Sequence, residues 1–380
     1  MEYYISLLET YNPNGVLFSF VIWITLLMIS KPNITLVSPI RNNTIKGFNL
    51  GFILFFVVCI FGLHRWDTYH IDDTLYGVYD HLEPIHKWLL VTLSLGHIFL
   101  YRIIVYGLAS YILFYIAKKI DLNNRNFLLV CTLFLVDSMF CEMRGTIGHT
   151  FLLLGYVMII HKSFGKLRIK NVVMGCFFIF LSFFLHRSIF ICIFFAILSL
   201  FDFAKKSVII ASWIVFPLLV VLFDRYFSSL LNIMIVFDYG DMGIGESLEI
   251  YGEGDFTFGQ YNLVGNIVRI ITNLSNYLVF FYLTIQICFR KIKIENIYKY
   301  LFRWYYICFY VGILLSCTEI NDWLSHRVLV MALYPMPFVL SRIWKQESLV
   351  SKWTKAIIIS GIIGGILSYA IRYRDWLSLV

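Results

Sequence analysis

A chain of 380 residues that is 60% hydrophobic, 18% aromatic and only 14% charged has too few polar side chains to cover its apolar ones in water. Runs such as VLFSFVIWITLLMI (16–29) and NVVMGCFFIFLSFFL (171–185) are too long and unbroken for a globular core, which leaves a polytopic membrane protein as the class that fits. The net charge of +8 then concerns membrane sidedness, and no nucleic-acid partner is expected.

The first 15 residues carry Glu2 and Glu9 but no Lys or Arg, unlike the basic start of a secretory signal, so the first span is expected to be retained. Apolar runs occupy 16–30, 47–63, 99–117, 127–141, 146–160, 172–185, 189–203, 208–223, 267–289, 301–317, 327–341 and 356–371. They predict an all-α fold of roughly twelve transmembrane helices, some short, tilted or paired as tight hairpins. The stretch IHKWLLVTLSLGHIFLYRIIVYGLASYILFYIAKKI is too long for one upright span. We divide it into an amphipathic outer segment, about 84–98, and a span starting near Phe99. Residues 1–380 read as one integral membrane domain with two outer loops, 64–98 and 224–266. The eight cysteines lie in or beside apolar runs without a CxxC pair and read as small hydrophobes rather than a metal site or disulfide framework.

Charge orients the spans. The connections around 31–46, 118–125, 162–170, 205–206, 290–303 and 342–355 hold 21 of the 31 basic residues and, with their flanks, only Asp121, Asp202, Glu295 and Glu347 as acids. The positive-inside rule makes them cytoplasmic and puts both termini outside, with Arg372 and Arg374 as exceptions to the pattern. The opposite side holds most of the carboxylates.

The basic residues left outside are almost all arginines. Arg102, Arg144, Arg187, Arg269 and Arg327 fall at the outer ends of separate spans, where a charge just inside hydrocarbon costs free energy. Several at one depth point to a shared cavity for an anion, and guanidinium suits bidentate phosphate contacts. The alternative is that each pairs with its own carboxylate or a lipid headgroup; Glu142 is such a neighbour of Arg144. Asp137, two helical turns before Arg144, is an intramembrane acid that could pair with an arginine or serve a proton-coupled transporter.

Three outer hairpin tips concentrate this chemistry: CEMRGTIGHT (141–150), SFFLHRSIFI (182–191) and NDWLSHRVLV (321–330). Gly145 and Gly148 in the first allow close approach of a backbone or ligand. At these places, and in DTYHIDDTLYGVYDHLEPIHKWLL (67–90), the chain resembles the Wzy/EpsG family of bacterial polysaccharide polymerases. The family's outer Asp–aromatic stretch leading to an EPLF-like segment corresponds to the whole of 67–90. Its MRQ-like tip corresponds to Met143-Arg144-Gly145, its FHKSAL-like tip to LHRSIF (185–190), and its late arginine before prolines to HRVLVMALYPMP (326–337). Gly145 stands where the family has an amide, and His-Arg where it has His-Lys.

The resemblance implies a fold similar to the GT-C glycosyltransferases, in the bacterial cytoplasmic membrane with its active site on the outer side. It also implies an oligosaccharide on undecaprenyl pyrophosphate as substrate and no metal or cofactor. Partners would be membrane lipid, a flippase and a chain-length regulator. The reaction would need pyrophosphate neutralised, an acceptor hydroxyl deprotonated and the sugar positioned. Arg144, Arg187 and Arg327, then Arg269 and Arg102, are the expected pyrophosphate ligands. His186 is the first candidate base, with Glu142, His149 and His326 behind it. His149, five residues past Arg144, is not on the same helical face. Asp67, Asp72, Asp73, Glu319 and Asp322 are expected to bind glycan. The loop 224–266, rich in carboxylates, glycines and aromatics, is expected to act as a lid over the site. Two other classes share some of these features: a flippase for lipid-linked oligosaccharides and another outer-leaflet glycan enzyme such as a ligase.

Overall fold

The computed structural model describes residues 13–30, 53, 55, 56, 59, 83–122, 124–136, 139, 143–161, 168–186, 189–223, 225–226, 263–318, 322–346 and 352–377, and among them there are helices and no strands. In chain order the helices are α1 (Pro13–Ser30), α2 (Pro84–Trp88), α3 (Ile98–Lys119), α4 (Asn124–Val130), α5 (Met143–Ile160), α6 (Arg168–Leu185) and α7 (Ile189–Leu198). Beyond these lie α8 (Lys206–Ile214), α9 (Leu263–Thr284), α10 (Asn296–Ser316), α11 (Asp322–Leu333), α12 (Met336–Gln346) and α13 (Lys352–Leu377). Wider π-helical turns continue α2 over Leu89–Leu93, α4 over Cys131–Leu135 and α9 over Ile285–Phe289. Residues 64–82 of the first outer loop, and 224 and 227–262 of the second, lie outside the described residues.

Three helices are long and apolar enough to cross a membrane, Phe99–Lys119, Arg327–Lys345 and Lys352–Ala370, which is consistent with a membrane protein. Lys206–Ile214 and Phe216–Phe223 make a fourth if counted as one span bent by 52°. Pro217 explains the bend, because its ring cannot donate to, and clashes with, the carbonyl of the preceding turn. Six further apolar stretches of 10–17 described residues lie within α1, α4, α5, α6, α7 and α9 and their π-turns. The twelve-span count is thus corrected, among the described residues, to three or four full-length candidates and a set of shorter apolar helices. Apolar composition marks where helices lie, whereas proline, π-turns and left-handed residues decide where they end. The break in the 84–119 stretch shows this. Ser94 Oγ and N both donate to Leu89 O at 2.9 Å, and Leu95 and Gly96 take φ of 51° and 77°, which lets α3 start at Ile98.

The described chain forms two compact units, residues 1–190, 271–279 and 337–380, and residues 191–270 and 280–336. In the first, α1, α4 and α13 pack together. The Trp23 indole donates to Thr132 O at 2.8 Å, within the π-turn, and Ser19 and Tyr369 share a hydrogen bond of 2.9 Å. Helices α5 and α6 form a hairpin whose backbones touch: a Cβ on Gly155 would lie 2.5 Å from Gly175 O, and one on Gly175 would lie 2.7 Å from Gly155 O. The outer surface of α6 exposes Val173, Phe177, Phe180 and Phe184 at i, i+4, i+7 and i+11, an apolar stripe suited to acyl chains. In the second unit, Phe280 stacks on Phe309 with centroids 4.6 Å apart, Trp213 meets Tyr310 edge-on at 5.2 Å, and Arg303 pairs with Asp202.

The hairpin contact generates a prediction. Gly155→Ala forces its methyl against a backbone carbonyl and lowers stability by about 1–3 kcal/mol, read as a fall in melting temperature in detergent. Gly107→Ala, whose Cβ would meet only Phe56 at 3.4 Å, serves as control and shifts melting little. Equal melting of the two variants contradicts the close packing of α5 and α6.

Candidate functional site

Glu83 lies where the chain enters α2. The residue before a proline is driven to extended backbone, and Glu83 has φ −56° and ψ 141°. Pro84 starts the helix without an N–H to satisfy, and the Glu83 side chain makes no capping bond to α2. The carboxylate is therefore turned to other elements. It is 4% exposed, which for an acid requires partners.

It has two. Arg144, in the first turn of α5, places Nη1 3.2 Å from Glu83 Oε2, and His186, just past the end of α6, places Nδ1 3.1 Å from Oε1. Each carboxylate oxygen thus holds one cationic or polarisable group from a different helix, 61 and 103 residues away in the chain. Both partners are themselves buried, Arg144 at 8% and His186 at 7% exposed. The α5–α6 hairpin explains why they meet. Its two helices have 18 residues each and run antiparallel, so the ends that carry Arg144 and His186 fall together, about 27 Å from the opposite ends of the pair. Gly148 lets the second tip in, since a Cβ there would meet Ile189 Cγ1 at 3.1 Å and His186 Cβ at 3.3 Å.

A second histidine backs the carboxylate. His86, one turn along α2 from Glu83, is fully buried and hydrogen-bonds through Nδ1 with the Tyr101 hydroxyl of α3. Burial alone would raise the Glu83 carboxyl; the Arg144 guanidinium, the His186 hydrogen bond and charge, and the nearby His86 outweigh it and hold Glu83 well below the usual carboxylate range. An ionised carboxylate only accepts, so His186 Nδ1 donates its proton to Glu83, leaving Nε2 as the nitrogen that can take a proton from elsewhere. The arrangement is a base oriented by an acid beside a fixed cation.

The other predicted site residues are spread more widely. Arg102, 6% exposed on α3, and His149, 2% exposed on α5, are buried in the same unit. Arg327 is half-buried on α11 in the second unit, Arg269 lies on α9, and Asp322 and His326 lie in the first turns of α11. Arg187, Glu142, Asp137, Glu319, Asp67, Asp72 and Asp73 fall outside the described residues. Arg144 and His186 are therefore brought together, while a meeting of all five arginines is not among the described contacts. Arg144 finds its carboxylate in Glu83, far along the chain, rather than only in its sequence neighbourhood. Glu83, His86 and Tyr101 are the residues that reasoning from sequence missed. The signal for them was Glu-Pro with His86 at i+3, a carboxylate and an imidazole on one face at the mouth of an apolar run. Among the described residues no cluster of three or more His, Cys, Asp or Glu is placed to hold a metal ion.

Comparison with protein-family models, with curated proteins and with solved structures finds no match.

The network yields a pH prediction. Removing the charge with Glu83→Gln leaves the Arg144 guanidinium buried and uncompensated, at a cost of about 3–5 kcal/mol near neutrality. Because the Glu83 carboxyl is lowered in the folded protein, its stabilisation is complete above the ordinary Glu value of about 4.3 and is lost as pH falls through the lower folded value. Unfolding in detergent from pH 8 to pH 3 should show the wild type ahead of Glu83→Gln at neutral pH, with the gap closing in acid. A gap that is absent or independent of pH contradicts the ionised network.

Proposed function

We propose that this chain is a polysaccharide polymerase of the outer leaflet, in which a growing glycan passes from undecaprenyl pyrophosphate to a lipid-linked repeat unit. The supporting observation is the meeting at Glu83 of three segments that separately carry the resemblance to the Wzy/EpsG polymerases: the Glu-Pro entry, the MRQ-like tip and the FHKSAL-like tip. Nothing in their sequence spacing requires them to share one carboxylate. A multispanning, GT-C-like arrangement is part of the same proposal, with both termini and the site on the outer side.

Each residue of the network takes one part of the step. The acceptor hydroxyl oxygen forms a bond to the anomeric carbon of the donor glycan. The bond from that carbon to the pyrophosphate oxygen breaks, and the pyrophosphate leaves with the electron pair. The hydroxyl proton passes to His186 Nε2, and Glu83, hydrogen-bonded at Nδ1, stabilises the imidazolium that results. Arg144 supplies fixed positive charge next to the leaving pyrophosphate, oriented by Glu83 through Nη1. Arg187, Arg102, Arg269 and Arg327 are the further pyrophosphate ligands of this reading. Asp67, Asp72, Asp73, Glu319 and Asp322 are its glycan ligands, and Glu142, His149 and His326 its reserve bases. The chemistry calls for no cofactor. A flippase would deliver the substrate and a chain-length regulator would set the product's size.

The proposal is tested in cells that depend on this gene for their surface polysaccharide. His186→Gln and Arg144→Ala, each at normal protein level, should lose long chains by at least about a hundredfold, as expected for losing a general base or a transition-state charge. Single repeat units should still reach their final acceptor. Full-length chains in the double variant contradict the polymerase reading, and a complete lack of external units points to a flippase instead.

A further inference from the structure

The second unit carries an open cleft of about 580 Å³ that has no part in the Glu83 network and is independent of glycan chemistry. Its rim carries Lys205, Lys206 and Lys291, and its wall is Ile210, Ile287 and the buried Cys288. Three features favour an anion. No carboxylate among the described residues forms an ion pair with any of the three amines, while the nearby Asp202 is already engaged by Arg303. Lys206 also lies over the Phe289 ring at 5.4 Å, which holds its ammonium at the rim. Finally, α8 begins here: Lys205 is its N-cap without a side-chain capping bond, and the first intrahelical bond comes only with Ile209 N to Lys205 O at 3.0 Å. The amides of Lys206, Ser207 and Val208 thus precede the first helical hydrogen bond, at the positive end of the helix. Lys291 reaches the same rim because the chain leaves the π-turn Ile285–Phe289 through a left-handed residue, Lys291 itself, with φ 53°.

Hydrocarbon beside the anion is favoured because Ile210, Ile287 and Cys288 line the site next to the lysines and further apolar side chains are exposed on the same two elements. Val208, Ile210 and Ile214 on α8 are 41%, 41% and 72% exposed, and Ile285 and Phe289 are 38% and 41% exposed. A cationic rim above such a strip fits a phosphate with hydrocarbon attached. We propose that this cleft is a binding site for the phosphate headgroup of an anionic phospholipid, its acyl chains lying along α8 and the π-turn. Its place at the lysine-rich ends of the helices is where basic residues meet an anionic leaflet.

Native mass spectrometry of the full-length protein from detergent, with added phosphatidylglycerol, phosphatidylcholine or inorganic phosphate, reads this site. The protein should retain phosphatidylglycerol in preference to phosphatidylcholine of the same chains, and inorganic phosphate at equal concentration should not displace it. Apparent affinity should fall about fivefold for each of Lys205→Ser, Lys206→Ser and Lys291→Ser, and about a hundredfold for the triple variant. Ile210→Asp keeps every lysine but puts a carboxylate in the wall; it should also weaken retention, and it tests the site if the triple variant does not fold. Equal retention of the two lipids, or undiminished retention by the triple variant or by Ile210→Asp, overturns the site. Displacement by phosphate at equal concentration overturns the lipid assignment.

Discussion

A single buried carboxylate joins α2, the start of α5 and the end of α6 in the first unit. Glu83 cannot remain ionised in an apolar interior without positive partners, and it finds them in Arg144 and His186, on two helices that are adjacent only because α5 and α6 form a hairpin. The dependence runs both ways. Arg144 and His186 are too buried to be left without the acid, so the three segments are mutually required. Replacing the set by apolar residues of equal size would be tolerable for stability, as buried ion pairs often are. A charged set where an apolar one could serve stability as well is what makes this place the candidate site.

Local geometry supplies the precision. Pro84 sets the entry of α2 and frees the Glu83 side chain from capping. Gly155 and Gly175 bring α5 and α6 to backbone contact, and Gly148 opens the space into which the His186 tip fits. The His86–Tyr101 pair ties α2 to α3. Holding a short polar network between helices is what a preorganised site needs, because misplacement of a base by an ångström costs much of its effect.

Sequence reasoning reached parts of this and not others. Helical class was legible from the apolar runs, and the break before α3 was legible from the length of its stretch. Span count was not, because hydropathy is blind to the break at Pro217 and to the π-turns at Cys131–Leu135 and Ile285–Phe289. At the site, Arg144 and His186 stood out as charges at the ends of apolar runs. Glu83 did not, because it lay in an acidic segment where one carboxylate looked like the rest. What distinguishes it is its depth, and depth comes from tertiary packing that pairs residues 61 and 103 positions apart. The five-arginine cavity rested on equal depth in separate helices, a one-dimensional argument. Among the described contacts Arg144 meets Glu83, while Arg187 lies outside the described residues.

An oriented histidine, its carboxylate and a fixed guanidinium make one reactive centre in this reading, and that centre alone should lengthen a lipid-linked glycan. The most direct measurement is polymer synthesis by the purified chain in lipid vesicles, supplied only with an oligosaccharide on undecaprenyl pyrophosphate. The predicted result is a ladder of products and release of undecaprenyl pyrophosphate, with both abolished when Glu83 becomes glutamine in protein that is still folded. Unchanged single units with the wild-type chain, or an undiminished ladder with the glutamine variant, would contradict it.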